Sequence, residues 1–115
     1  MENKILKPAQ DSFQFIVNKR QVSKGKTLHT SILFKKVESF AKEFIIPNQN
    51  ILDTSPKSFE LNFMQNAYLN DELIVKNQIK KLNNKYLILL ITVSKKEQKA
   101  PICEATFGYT FKKAS

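Results

Sequence analysis

From residue 12 onward, apolar and polar positions alternate in short runs, interrupted by one stretch of longer period. In Ser12 to Val22 (SFQFIVNKRQV), Phe13, Phe15 and Val17 alternate with Gln14 and Asn18, the two-residue period of a strand with one buried face. This segment is read as the first strand, followed by the loop SKGKT with Gly25 as its breaker. From Thr30 the period changes: Leu33, Val37, Phe40, Ala41 and Phe44 are spaced by four, three, one and three, which sets them on one helical stripe. Thr30 or Ser31 is expected to cap this helix through a hydroxyl oxygen. The segment IIPNQN should end it, because Pro47 forbids continuation and disfavours helix at Ile46.

Beyond the loop NQNILDTSP the alternation returns and no second long helical pattern follows. Phe59, Leu61 and Phe63 alternate in SFELNFM, and Leu73, Val75 and Ile79 in ELIVKNQIKK. Tyr86 to Val93 (YLILLITV) is continuously apolar, and Cys103, Ala105, Phe107, Tyr109 and Phe111 alternate in ICEATFGYTF. The connections NAYLND, LNNK and KKEQKAP are short, so the strands they join should be antiparallel neighbours and the last three a meander. YLILLITV, apolar on both faces, is expected at the centre of the sheet. The order is strand, long helix, four strands: an α+β domain in which one helix covers one face of a five-stranded antiparallel sheet.

Composition narrows this picture. At 115 residues the chain holds one domain, expected over 12–115 behind a polar N-terminal tail, 1–11, that lacks periodicity. Nine phenylalanines point to an aromatic core. No apolar run reaches the length of a membrane span and the first residues do not read as a signal peptide, so the chain is expected to be cytoplasmic. One cysteine and one histidine make neither an internal disulfide nor a His/Cys zinc site within a chain, and no metal is expected. The net charge of +9 favours an anionic partner. Arg20 is the only arginine among nineteen basic residues, which argues against a reader of nucleic-acid bases, since these rely on arginine forks.

The segment KGKTLHTSILFKKVESFAKEF carries the candidate chemistry: it holds the only histidine, His29, and nine residues later Glu38. On a helical wheel Glu38 falls beside Phe34, Ala41 and Ile45, at the edge of the apolar arc, where partial desolvation suits a general base. It can equally be a surface glutamate paired with Lys35 or Lys42. The Thr30 and Ser31 amides, in the first turn, point outward unpaired and can stabilise an oxyanion. His29 is read either as an acid–base group or as a histidine that holds the turn through backbone bonds. Cys103 reads as a small buried strand residue.

This layout, with a motif at the front of the helix, resembles the hotdog fold of acyl-CoA thioesterases and acyl-carrier-protein dehydratases over Ser12 to Phe111. In detail it is similar to the phenylacetate-pathway and Arthrobacter-type 4-hydroxybenzoyl-CoA thioesterases, whose motif is a His-Gly-Gly turn opening the helix and an acid nine residues after the histidine. His29, Thr30 and Ser31 occupy the turn, and Glu38 has the acidic position. Asn70, Asp71 and Leu73 stand where that family has a Gly-Asp pair before an apolar residue. Both motif glycines are replaced, and Lys24 stands at the catalytic histidine of the dehydratases and at the aspartate of the hydratases.

The resemblance implies an acyl-CoA or acyl-carrier-protein thioesterase, a hydrolase of lipid metabolism acting on an acyl or aryl thioester. Glu38 would be its base or nucleophile, assisted by His29, and the amides of Thr30 and Ser31 its oxyanion hole. It implies a homodimer, in which acid and amides come from opposite subunits. No separate cofactor is expected, coenzyme A or phosphopantetheine being part of the substrate. Lys24, Lys26, Lys35, Lys36, Lys76, Lys80 and Lys81 are candidates to hold the coenzyme A phosphates or an acidic carrier protein. The alternative is an inactive or dehydratase-like hotdog protein that binds acyl thioesters or acyl carrier protein as a partner subunit in fatty-acid or polyketide-type synthesis.

Overall fold

The computed structural model describes residues 6, 11–98 and 100–112. Its elements are strand β1 (Ser12–Ile16), helix α1 (Thr30–Ile45) and strands β2 (Ser58–Phe63), β3 (Glu72–Leu82), β4 (Tyr86–Lys95) and β5 (Pro101–Thr110). The strands form one antiparallel sheet in the order β1-β3-β4-β5-β2. The meander expected of the last three strands is present, and β4 lies at the centre. The tail expected over 1–11 lies outside the described residues apart from Asp11 and Leu6, which packs against the core.

Register explains how a two-residue period becomes a core. Val75, Val93 and Cys103 face one another across three strands, as do Leu89 with Phe107 and Leu87 with Tyr109, and all of these are buried. Their common face receives Leu33, Val37, Phe40, Ala41 and Phe44, the stripe read from the sequence, together with Ile45. β4 is buried completely on one face only: Leu87, Leu89, Ile91 and Val93 are fully covered, whereas Ile88, Leu90 and Thr92 opposite are half-buried. Phe40 sits at the middle of the helix interface, its ring edge-on to Phe13 at 5.0 Å. Removing a buried aromatic ring loses transfer energy and leaves a cavity, so Phe40→Ala should cost about 3–5 kcal/mol in urea denaturation.

Local chemistry departs from the expected boundaries in three places. The first strand stops at Ile16 instead of running to Val22. Asn18 takes the chain into a 3-10 turn over Lys19–Gln21, accepting from the Arg20 amide at 3.0 Å while its own amide donates to the Gln21 side chain at 2.9 Å, a local bond that competes with a strand ladder. In the following loop it is Lys26, with φ 64°, and not Gly25 that takes the left-handed conformation. Backbone bonds between Ser23 and both Lys26 and Thr27, and the contact of the Ser23 and Thr27 hydroxyls at 3.0 Å, close that turn. The helix cap position is held by His29 rather than Thr30 or Ser31, with no side-chain cap bond.

The helix does end at Ile45, where a 3-10 turn over Ile46–Asn48 carries Pro47. Asn48, almost wholly buried, donates from Nδ2 to the Phe44 carbonyl at 2.8 Å and so satisfies one of the helix's last acceptors.

Candidate functional site

Helix α1 begins where two loops meet. The Leu28 amide donates to the Ala67 carbonyl at 2.8 Å, the Leu69 amide to Lys26 at 2.9 Å, and the His29 amide to Gln21 at 2.8 Å. These bonds anchor the backbone around the helix start from both sides. The His29 carbonyl takes the amides of Ile32 and Leu33 at 3.1 and 3.2 Å, so the helical ladder starts there. Thr30 and Ser31, ahead of it, present amides that the helix itself has no carbonyl to receive. Both residues are exposed, as is the His29 side chain's residue.

Glu38 lies two turns further along, with its side chain 44% exposed and Lys42 Nζ 3.9 Å away. Of its two expected lysine partners, Lys42 is therefore the one found, in an exposed i,i+4 pair of the kind worth about 0.3–0.5 kcal/mol. Such a pair does not fix the carboxylate. The helix face carrying Glu38 looks toward β5 and the edge strand β2. Phe34, one turn earlier, meets the Phe59 ring at 5.5 Å; Phe59 meets Phe107 at 4.9 Å, and Phe107 stacks along Tyr109 at 6.3 Å. Tyr109 ends this aromatic path, and its phenol is pushed up to about 12, by burial first and by the Glu38 charge second.

The edge strand β2 differs from the other strands. Phe59, Leu61 and Phe63 alternate as the sequence indicated, yet Phe59 and Phe63 are 44% and 46% exposed, and Met64 beyond them is 50% exposed. Phe59 and Phe63, paired with Phe107 and Cys103 of β5, continue the core face past the end of the helix's cover. Among the described residues no strand lies on the outer side of β2, so its outer backbone groups form a sheet edge.

The candidate lysines divide into groups. Lys24 and Lys26 sit in the loop that leads into the helix, four to seven residues ahead of Thr30 and Ser31. Lys35 and Lys36 lie on the helix, Lys36 with its ammonium over the Phe15 ring at 4.9 Å, on the β1 side and away from β2. Lys76 is on β3 opposite Ser12. Lys80 and Lys81 are at the far end of that strand, about 30 Å from its start at a normal strand rise; the Lys81 ammonium lies over the Tyr86 ring at 5.4 Å. The seven lysines therefore do not form one patch.

Cys103 is fully buried on β5, its thiol pushed up to about 12 by burial and then by the Glu104 charge. It is no nucleophile at neutral pH. Cys103 and Tyr109 rise from ordinary values of 9.0 and 10.0, so both fold in the neutral form while the unfolded chain ionises first. Their stabilising contribution is complete below about pH 9 and is lost as pH climbs toward 12. The melting temperature should therefore fall between pH 8 and pH 11, and Cys103→Ala should flatten that dependence. Among the described residues no group of three His, Cys, Asp or Glu side chains is placed to hold a metal ion. None of the helices there is long and apolar enough to cross a membrane.

No protein-family model and no curated relative matches the chain by sequence, but solved structures match it in shape. A Streptococcus pneumoniae hypothetical thioesterase solved with coenzyme A superposes with a TM-score of 0.74 at 16% identity, covering 94% of this chain and 84% of its own. The smu.793 protein of Streptococcus mutans, bound to acetyl CoA, gives 0.73 at 15% identity, covering 88% and 79%. The Escherichia coli PaaI protein of the phenylacetic acid degradation operon gives 0.73 at 12%, covering 90% and 73%. At these identities the likeness is one of fold: the chain is a hotdog-fold protein, built on the architecture of the acyl thioesterases.

Proposed function

We propose that the protein is a homodimeric thioester hydrolase acting on acyl-CoA or on an acyl carrier protein, with Glu38 as its reacting carboxylate. The observation that carries this reading is the position of Glu38, at the border between the covered helix face and the exposed aromatics of β2. A substrate or second chain laid along β2 meets that carboxylate and an apolar wall together. Hydrolysis needs a group that activates water or attacks directly, and donors for the oxygen that becomes negative. Glu38 supplies the first, and the amides of Thr30 and Ser31 supply the second.

These groups cannot serve one carbonyl within one chain. Seven or eight residues separate Glu38 from the two amides, about 11 Å along the helix axis at 1.5 Å per residue. Two copies joined at β2 would bring the acid of one to the helix start of the other. The sheet edge at β2 and the exposed Phe63 and Met64 support that arrangement. In it, Glu38 takes a proton from water as the water oxygen bonds to the thioester carbon. The oxyanion rests on the Thr30 and Ser31 amides of the second copy, and collapse breaks the carbon–sulfur bond while the proton passes to the leaving sulfur. Direct attack by Glu38 would instead give an anhydride that water opens. A single turnover in labelled water separates the two, since only the anhydride route leaves label in Glu38.

His29 holds the turn through its carbonyl, and its exposed ring is free to assist at the site's rim. Lys24 and Lys26 precede the amides and are suited to the phosphates of coenzyme A. The neighbours with coenzyme A or acetyl CoA bound support a CoA thioester as the first substrate to test. Thiol release from a panel of acyl-CoAs and acyl carrier proteins tests the reading; release from none would overturn it.

A further inference from the structure

Among the described ion pairs, Lys95 at the end of β4 has the lysine side chain least open to water, 19% exposed against 65% for Lys42 and 53% for Lys96. Its ammonium stands 3.5 Å from Oδ2 of Asp71, itself 28% exposed, and 5.3 Å from the centre of the Tyr68 ring. The same Oδ2 accepts from the Tyr68 amide at 2.8 Å, and the Asp71 amide donates to the Tyr68 carbonyl at 3.0 Å. One cation therefore touches both ends of the turn 68–71. The third residue of that turn, Asn70, has φ 71°, a left-handed conformation that asparagine tolerates.

This turn supports the start of α1. The Ala67 carbonyl accepts from the Leu28 amide at 2.8 Å, the Lys26 carbonyl from the Leu69 amide at 2.9 Å, and Thr27 and Tyr68 form an antiparallel bridge. Thr30 follows Leu28 by two residues. His29 makes no side-chain cap bond, so the placing of the first helical amides depends on these backbone anchors. We propose that Lys95 is a positioning residue for the helix start: through Asp71 and Tyr68 it fixes the turn that holds 26–28, and with it the direction of the Thr30 and Ser31 amides. The consequence for catalysis rests on the hydrolase reading; the hold on the backbone does not. A pair so little exposed is weakly screened, and the ring face adds its own attraction for the cation. Donors aimed at a developing oxyanion are effective because they are fixed beforehand.

The test compares wild type with Lys95→Met, which keeps the apolar stem and removes the charge, with Lys95→Arg, which keeps a cation for carboxylate and ring, and with Lys96→Met. Lys96 pairs with Glu72 at 3.3 Å in the open and serves as the control. Amide hydrogen exchange reads the hold without reference to activity. In Lys95→Met the Leu28 and Leu69 amides should exchange about tenfold to a hundredfold faster, as loss of a bond to a charged group allows, while the amides of β4 and β5 keep their rates. Lys95→Arg and Lys96→Met should match wild type. Unchanged exchange at Leu28 and Leu69, or an equal rise throughout the sheet, would overturn the proposal. In thiol release, Lys95→Met should lower kcat about tenfold to a hundredfold with KM nearly unchanged, the effect of displacing a reacting group by about 1 Å, and Lys95→Arg should restore it. Faster exchange with kcat at the wild-type value would mean that Lys95 steadies the turn without setting the amides, and would also overturn the proposal. If wild type releases no thiol, the hydrolase reading fails, and exchange alone decides whether Lys95 holds the helix start.

Discussion

Glu38→Gln should lower thiol release from acyl thioesters by about a hundredfold to ten-thousandfold, the range supplied by a positioned general base, and should leave the fold intact. Glutamine has the shape of glutamate but neither accepts the proton of an attacking water nor forms an anhydride. The structural loss is small, since the one ion pair removed among the described residues, with Lys42, is exposed at both ends and worth about 0.3–0.5 kcal/mol. The melting temperature and the oligomeric state should therefore match wild type. Retention of most of the activity would remove Glu38 from the mechanism. The hydrolysing group would then have to be sought elsewhere, and Cys103, buried and with its thiol at about 12, is not that group.

Phe63→Asp combined with Met64→Asp should yield a monomer without turnover. Both side chains are about half exposed in the single chain, and among the described residues no ring contact involves Phe63, so the charges cost the isolated fold little. In a dimer joined at β2 they would be buried without partners. Two apolar anchors lost at an interface centre, each worth about 2 kcal/mol or more, weaken association by about a thousandfold. Light scattering should show the monomer mass, circular dichroism an unchanged sheet, and thiol release a loss as large as that of Glu38→Gln, because each carboxylate is then parted from the amides it needs. A dimer that survives the double change would place the interface away from β2.

The fold was legible because each element carries its own period. The helix stripe from Leu33 to Phe44 and the alternation in β3 and β5 are local signals that tertiary packing reinforces. Where sequence reading erred, a side chain competed with the backbone pattern. Asn18 ended β1 six residues early by bonding its own neighbourhood, and alternation alone does not register such a bond. In β2 the same pattern that signals burial in β3 belongs to side chains left open, because alternation reports which face a residue shares and not whether that face is covered within the chain.

The site was legible in part. Glu38 at the edge of the apolar arc follows from helix geometry, and the open amides follow from where the helix starts. The aromatic path from Phe34 to Tyr109 was not legible, since its members lie far apart in sequence and their positions in helical or alternating runs mark them only as core. The lysines show the converse. Seven of them looked like one anion-binding cluster, but strand β3 carries Lys80 and Lys81 to the opposite end of the sheet from the helix start.

The most direct test of the central claim, that two copies assemble one hydrolytic site, is complementation by mixing two inactive variants. Glu38→Gln lacks the acid, and Ser31→Pro removes one amide donor at a helix position where proline is tolerated. If acid and amides act across the dimer, mixed dimers of the two variants contain one complete site, and exchange of subunits should restore up to about one quarter of the wild-type thiol release on statistical pairing. No recovery in mixtures shown to have exchanged would contradict the account.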